Sequence, residues 1–464
     1  MHTPTAIDFA DVQANILRGV NTRHARHFML AGSSVSGTAQ FIGALLGGTG
    51  LRISTAAPWA DKPDYHLTLG LTAPGLEALG LPPALLASFP DSFTAGAARR
   101  AESLGDTGTA APSQWAYGGQ GAEHLVVSLY TDEQRMAVMD ARSRQLRGLM
   151  AQHGLVELGA FDANAFEHGA VHFGYRDGIA QPRIEGVPSK RGEQQPDMQP
   201  MCKPGEFLLG KGYVNQFQGN WLGDVPHELG DNASYGVLRM IRQEVATFEE
   251  LLQRVARRYA VDPEWVAAKL MGRWRNGVPL TLTHGAERPG PMPHEMADLR
   301  LNDFDYAPTP AHPAFLDDRE GLRCPIGSHI RRLNPRSALV MGKPHTRRLI
   351  RRAMPYGPAW QAGQAADGIE RGLIGYFVCG DVESQFEFLL QTWANRDFST
   401  HGLRGTREPI LGFQPGEGGR FVIRTENSLD PIVIDDLPQL TFTRGCLYCF
   451  LPGIGGLHRL AALA

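Results

Sequence analysis

The order of strand-like and helix-like segments is the feature that most constrains the fold of this chain. Residues 65–72 alternate apolar with small or polar side chains, as half-buried strands do, and residues 124–130 indicate a second strand. A capping-box pattern at 131–134 then opens a helix. The same strand-then-helix pattern returns at 372–379 and 383–395. Two such units in tandem predict an α+β fold, and the lack of a short repeat period argues against a solenoid or propeller.

A long segment rich in Gly, Pro, Gln and Asn, roughly 183–235, separates the two units. After it come a second capping box at 247–250 and a helix that begins at Asp262, which is followed by proline. The chain has 464 residues, which is too long for one ordinary core and suits two domains or one large one. We therefore predict an N-terminal domain of residues 1–200 and a C-terminal domain of residues 201–464.

Composition and charge argue against several classes of protein. The net charge is −3 and the isoelectric point is near 6.6, so we expect neither nucleic acid nor an anionic membrane as a partner. No window approaches about 18 uninterrupted apolar residues, which argues against a membrane span. Residues 1–19 lack a basic stretch followed by an apolar one, and the five cysteines are odd in number. We therefore expect free thiols and a cytoplasmic location, with an oligomer possible.

Three short segments carry residue types that support chemistry. Residues 173–178 (FGYRDG) end in Asp-Gly, which taken alone is ordinary turn chemistry. Residues 324–336 (CPIGSHIRRLNPR) place one histidine before a basic run, so this histidine is either structural or an axial metal ligand. Residues 347–358 (RRLIRRAMPYGP) place four arginines before a sequence that stops any helix. Such arginines either cover an exposed face or are held pointing into a site.

In combination, and in this order, the three segments resemble the dye-decolorizing peroxidase family. Similar sequence stands at 11–19 (DVQANILRG), 204–210 (PGEFLLG) and 385–395 (QFEFLLQTWAN). The resemblance therefore runs over nearly the whole chain. The G-x-x-D-G pattern is weak evidence alone and becomes specific only together with the histidine and arginine segments downstream.

The resemblance implies a haem site and assigns its central residues. His329 corresponds to the proximal ligand of the haem iron. Asp177 corresponds to the distal carboxylate, and Arg351 to the distal arginine. Arg352 is the alternative if the register is off by one residue.

The resemblance also implies how the haem is held. Arg336 matches a basic position near the haem propionates. Glu383 stands where the family often has an acid that hydrogen-bonds the proximal imidazole, with Asp381 as the alternative. The CxxC at 446–449 is followed by Phe450 where covalent attachment needs histidine, so we expect non-covalent haem b and read these cysteines as buried thiols.

For the fold, the resemblance implies two ferredoxin-like halves, each an antiparallel sheet with peripheral helices, and a haem held mainly by the C-terminal half. Asp177 would reach this haem from the segment between the halves. One departure concerns Gly375, because many members place a large apolar residue there. We expect a roomier distal pocket, or one closed by Tyr376 or Phe377.

Together these expectations describe a haem-dependent peroxidase. It would reduce hydrogen peroxide and oxidise bulky phenolic or dye-like organic substrates in one-electron steps. Asp177 would carry the proton and Arg351 would stabilise developing charge. Two alternatives stay open: a haem carrier, sensor or iron-releasing protein with incidental peroxidase activity, and a relative that no longer binds haem.

Because a carboxylate is a weak base, we predict that peroxidase activity peaks well below pH 7. Asp177→Asn should lose activity by roughly 10²- to 10⁴-fold, since an amide cannot accept the proton. The measurement is the rate with peroxide and a phenolic donor across the pH range. An optimum near neutrality together with an unaffected Asn variant argues against this role.

Overall fold

The computed structural model describes residues 6–47, 50–132, 136–188, 199–211, 214–215, 219–220, 227–283, 301–310, 313, 315–338, 344–361, 363–398, 403–414, 416, 418–425 and 428–463. Its strands are β1 (His24–Gly32), β2 (Tyr65–Leu71), β3 (Leu125–Thr131), β4 (Leu155–Asn164), β5 (Val214–Asn215), β6 (Gly219–Asn220), β7 (Ser234–Gln243), β8 (Ile350–Tyr356), β9 (Gly372–Cys379), β10 (Gly419–Thr425), β11 (Ser428–Leu437) and β12 (Thr441–Leu451). Its α-helices are α1 (Ala14–Leu17), α2 (Val35–Gly47), α3 (Ala73–Ala78), α4 (Pro83–Leu86), α5 (Asp91–Arg100), α6 (Met136–Gln152), α7 (His227–Gly230), α8 (Val245–Tyr259), α9 (Pro263–Met271), α10 (His329–Leu333) and α11 (Ile454–Ala461).

Eight of the described strands form one sheet in the order β4-β1-β3-β2-β12-β7-β9-β8, and every neighbouring pair is antiparallel. Strands β1 to β4 occupy one half of this sheet, and β7, β8, β9 and β12 occupy the other. Within each half the spatial order is fourth, first, third, second strand, which is the ferredoxin-like arrangement. The halves join where Phe450 on β12 pairs with Leu71 on β2. The predicted α+β fold of two ferredoxin-like units is confirmed.

The local predictions that fall on described residues agree with the structure except at one helix start and one helix type. The capping box predicted at 131–134 includes residues outside the described part of the chain. Asp262 caps α9, and its side chain accepts a hydrogen bond from the Glu264 amide. The capping box predicted at 247–250 is wrong, because α8 already begins at Val245 and its cap, Glu244, makes no side-chain hydrogen bond. The helix predicted at 383–395 is formed by two consecutive π-helical turns, which are Val382–Glu387 and Leu389–Ala394.

The edge strands β4 and β8 approach each other, so the sheet curls around a core of its own. This inner core contains Met29, Tyr130 and Tyr376. The N-terminal segment enters it: the Asn15 amide donates to the Tyr130 hydroxyl, and the Gln13 amide donates to the Leu69 and Pro452 carbonyls. The segment 11–19 therefore packs inside the curled sheet and bridges its two halves.

The two halves are connected by a long segment, since β4 ends at Asn164 and β7 begins at Ser234. The boundary predicted at 200/201 lies within it and stays a prediction. Within the described parts of the chain, every helix is too short or too polar to cross a lipid bilayer.

The curled sheet encloses two histidines that burial keeps neutral, and they predict how stability depends on pH. Burial lowers the pKa of His27 from 6.5 to about 4, and burial together with the Lys62 charge lowers the pKa of His66 to about 4. Between these values the unfolded chain binds protons that the folded chain does not. The free energy of unfolding should therefore fall as the pH drops from 6.5 towards 4, by at most about 1.4 kcal/mol per pH unit for each histidine.

Urea unfolding at pH 7 and pH 5 tests this dependence. We expect His27→Gln to lose less stability between the two pH values than the unaltered chain loses. His458→Gln, at an exposed position of α11, is the matched control and should keep the full dependence. Equal pH dependence in all three proteins contradicts the prediction.

Candidate active site

A cavity of about 490 Å³ lies on the sheet of the C-terminal half, a size typical of sites for organic ligands and cofactors. Strands β7, β8 and β9 form one wall, and α10 and the π-helical turns contribute to others. Asp177, His329, Arg336 and Arg351 all line it. Apolar side chains supply much of the remaining wall: Leu333, Leu349, Leu373, Phe377, Leu389, Leu390 and Ile410.

His329 is the first residue of α10, and its imidazole is held by a buried carboxylate. Its Nδ1 lies 2.9 Å from Oε1 of Glu408, whose side chain is 0% exposed. The backbone amides of Ile410, Leu411 and Gly412 also donate to this carboxylate. Burial by itself raises the pKa of Glu408, but the His329 charge and these amides lower it overall. An ionised Glu408 makes Nδ1 the donor, which directs Nε2 away from this pair.

The prediction that Glu383 holds this imidazole is wrong. The Glu383 side chain is 60% exposed and lies 3.7 Å from Arg100. Its alternative, Asp381, accepts from the Ser384 amide as the cap of the first π-helical turn. This segment instead presents Phe386 to the cavity. Glu408 stood outside every motif, and because it is 79 residues from His329 only the tertiary structure joins the two.

Asp177 is presented by a tight turn whose shape depends on glycine. The Gly174 amide donates to the Val171 carbonyl at 2.7 Å, and Gly174 has φ +81°, in the left-handed region. A Cβ there would lie 2.8 Å from the Arg275 guanidinium. The Asp177 amide then donates to the Gly169 carbonyl at 2.9 Å. The G-x-x-D-G pattern thus encodes the turn and fixes the backbone of its acid.

Arg351 lies on β8, and its Nη2 is 3.7 Å from Oδ1 of Asp177. The two side chains are 35% and 47% exposed, so small solutes can reach both. The alternative, Arg352, points to the opposite face of the sheet, as alternation along a strand requires. Its Nε donates to the Asn15 carbonyl, and burial lowers its pKa to about 10. The structure therefore brings together Asp177 and Arg351.

Gly375 lies in β9 opposite Ala353, and a side chain has no room there. A Cβ on Gly375 would lie 2.0 Å from the Arg352 carbonyl oxygen. Phe377, two residues on, lines the cavity, whereas Tyr376 is buried on the other face. Of the two side chains expected to close the pocket, only Phe377 faces it.

Arg336 and Arg273 concentrate positive charge in the cavity wall. The Arg336 guanidinium donates to the Asn302 side chain at 2.7 Å and lies 3.6 Å from the centre of the Phe304 ring. Arg273 is 5% exposed and lies over the same ring. Burial, followed by the charges of Arg336 and Arg351, lowers the pKa of Arg273 to about 9. Burial and mutual repulsion both oppose these charges, so an anion bound beside them is favoured.

Comparisons with known proteins bear on this arrangement. No protein-family model matches the sequence. The chain is 25% identical over 478 residues to Peroxidase 2 of Mycetinis scorodonius, covering 97% of this chain and 87% of that protein. It is 26% identical over 484 residues to a dye-decolorizing peroxidase of Exidia glandulosa, covering 99% and 88%. The crystal structure of DyP has a TM-score of 0.80 at 22% identity and covers 99% of both chains.

Glu408 should be required for stability because several donors converge on it. Glu408→Ala leaves three backbone amides and the His329 Nδ1 without their acceptor, and we expect a loss of about 3 kcal/mol or more. Glu408→Gln keeps an acceptor oxygen and should lose clearly less. Urea unfolding at pH 7 measures both, with the exposed Glu383→Ala as control. A loss in Glu408→Ala no larger than the loss in Glu383→Ala would contradict the prediction.

Proposed function

This chain belongs to the dye-decolorizing peroxidase family and is a peroxidase, and we propose that it reduces hydrogen peroxide at a non-covalent haem b whose iron is held by His329. We further propose that it oxidises bulky phenolic or dye-like donors in one-electron steps. The observation that carries this proposal is the meeting in one cavity of His329, backed by a buried carboxylate, with the Asp177–Arg351 pair.

The residues of the cavity fit a haem. Its apolar walls suit a porphyrin, and the buried charges of Arg273 and Arg336 suit the two propionate carboxylates. Within the described residues, no group of three His, Cys, Asp or Glu side chains is arranged to hold a metal ion. Cys446 and Cys449 are buried and are not among the residues that line the cavity, which favours non-covalent attachment.

The proximal residues act on the basicity of the ligand. Glu408 holds the Nδ1 proton of His329, which leaves Nε2 for iron and makes the imidazole a stronger electron donor. Bound haem would supply the iron chemistry for reducing peroxide and for oxidising organic donors.

The remaining residues act on the proton and the charge of the peroxide. Asp177 takes the proton from one oxygen of hydrogen peroxide and returns it to the other oxygen, which leaves as water. Arg351 stays protonated and stabilises the negative charge that develops as the O–O bond lengthens. Removing such a fixed donor commonly costs about 3–4 kcal/mol of transition-state stabilisation.

A haem carrier or sensor is the second candidate. Such a protein needs the imidazole and the cavity but has no use for Asp177 beside Arg351. The 3.7 Å approach of these two side chains therefore favours the peroxidase.

The absorption spectrum of the purified protein, with and without added haem, tests the ligand assignment. We expect an intense Soret band with haem and its loss or large shift in His329→Ala. His458→Ala, on the exposed face of α11, is the matched control and should keep the band. An unchanged spectrum in His329→Ala would remove His329 as the ligand. A stable spectrum on peroxide addition, without turnover of a phenolic donor, would favour the carrier.

A further inference from the structure

We propose that Gln181 is a positioning residue that clamps the Asp177 turn to the backbone of Arg351 and so sets the approach of these two side chains. The inference rests on the proposed function, since it concerns the same acid and guanidinium. Gln181 itself need not touch peroxide or cofactor.

Strand β8 lies at the edge of the eight-stranded sheet, and this position leaves part of its backbone without a neighbouring strand. In the β8–β9 ladder Arg351 stands opposite Phe377. The Arg351 amide donates to Oε1 of Gln181 at 3.1 Å, and Nε2 of Gln181 donates to the Arg351 carbonyl at 3.0 Å. One side-chain amide thus makes the paired hydrogen bonds that a neighbouring strand would make.

The clamp is joined to Asp177 through a short and anchored piece of chain. Gln181 follows Asp177 by four residues. Before Gln181 in the chain, the Asp177 amide donates to the Gly169 carbonyl. After Gln181, Ile184 forms an isolated β-bridge with Cys202, and the Arg183 guanidinium donates to the Gln199 carbonyl. The turn is therefore held before and after Asp177. Gln181 joins it to β8 at Arg351, and the His172 imidazole contacts the far end of β8 at the Tyr356 carbonyl.

This arrangement has a direct consequence for the proposed chemistry. Asp177 and Arg351 are 47% and 35% exposed and lie 3.7 Å apart, beyond an ordinary hydrogen bond. A weak, solvated pair of this kind does not fix its own geometry. The backbone clamp does so instead, and it leaves both side chains free to turn towards a bound peroxide. Misplacing a reacting group by about 1 Å can cost roughly 10²-fold in rate.

The clamp requires a hydrogen-bond donor and an acceptor on one planar group. A side chain that only fills the same space should therefore not replace Gln181. Gln181→Glu keeps the shape but, when ionised, loses the donor and sets a carboxylate against the Arg351 carbonyl. When protonated, the carboxylic acid again has one donor and one acceptor. The variant should therefore fail at neutral pH and recover in acid, near the ordinary glutamic acid pKa of about 4.3 or above it.

The experiment measures kcat/KM for hydrogen peroxide in the haem-loaded protein, as the ratio of each variant to the unaltered chain between about pH 7 and pH 4. We expect Gln181→Ala to lose roughly 10- to 100-fold at every pH. Gln181→Glu should lose as much at pH 7 and approach a ratio of one towards pH 4. KM for the organic donor should stay unchanged in both. Gln364→Ala, at a glutamine in an exposed loop, is the matched control and should keep a ratio of one.

A second measurement does not depend on catalysis. Hydrogen exchange of the Arg351 backbone amide should be slow in the unaltered chain and at least about tenfold faster in Gln181→Ala, with or without haem. Wild-type rates in both Gln181 variants at all pH values, or an Arg351 amide equally protected in Gln181→Ala, would overturn the clamp. Loss of peroxide turnover by the unaltered chain would instead overturn the proposed function, and the exchange result would still decide the clamp.

Discussion

The site depends on the alternation of side chains along one edge strand. On β8, Arg351 faces the cavity and Arg352 faces the inside of the curled sheet. A slip of one residue in the pairing with β9 would exchange them, leaving the turn that carries Asp177 opposite the wrong residue. The register is fixed on both faces: Gly375 has no room for a Cβ against the Arg352 carbonyl, and Arg352 is bound to Asn15. The same alternation gives Phe377 to the cavity and Tyr376 to the inner core.

Buried charge is the second constraint. Glu408 is fully buried, yet the imidazole and the backbone amides around it keep its pKa low. On another part of the wall, Arg273 and Arg336 are buried side by side, each opposed by the charge of the other. Burial makes charges costly, and two like charges held side by side favour a ligand that carries negative charge. In the proposed function, the haem propionates would carry this negative charge.

The N-terminal motif and the late helix motif have roles that their sequences did not reveal. Within residues 11–19, the side-chain amide of Gln13 bridges the two halves of the sheet by donating to the Leu69 and Pro452 carbonyls. The turns at Val382–Glu387 and Leu389–Ala394 keep the apolar spacing of a helix but are wound as π-helix, with Phe386 towards the cavity and Glu383 towards solvent. In this segment the helical sequence pattern predicted neither the π-helical winding nor the position of Glu383.

The sequence by itself determined the α+β class, the two repeated units, the turn that presents Asp177 and the segments that carry His329 and Arg351. These follow from local rules: alternation, capping, glycine at positive φ, and the resemblance of whole motifs to a family. Only the tertiary structure decided that Glu408 rather than Glu383 holds the imidazole, that Arg351 rather than Arg352 meets Asp177, and that Gln181 binds the edge of β8. Those contacts join residues 79, 174 and 170 positions apart. No local sequence pattern encodes contacts across such sequence separations, because these contacts are set by how the sheet curls and which strand lies at its edge.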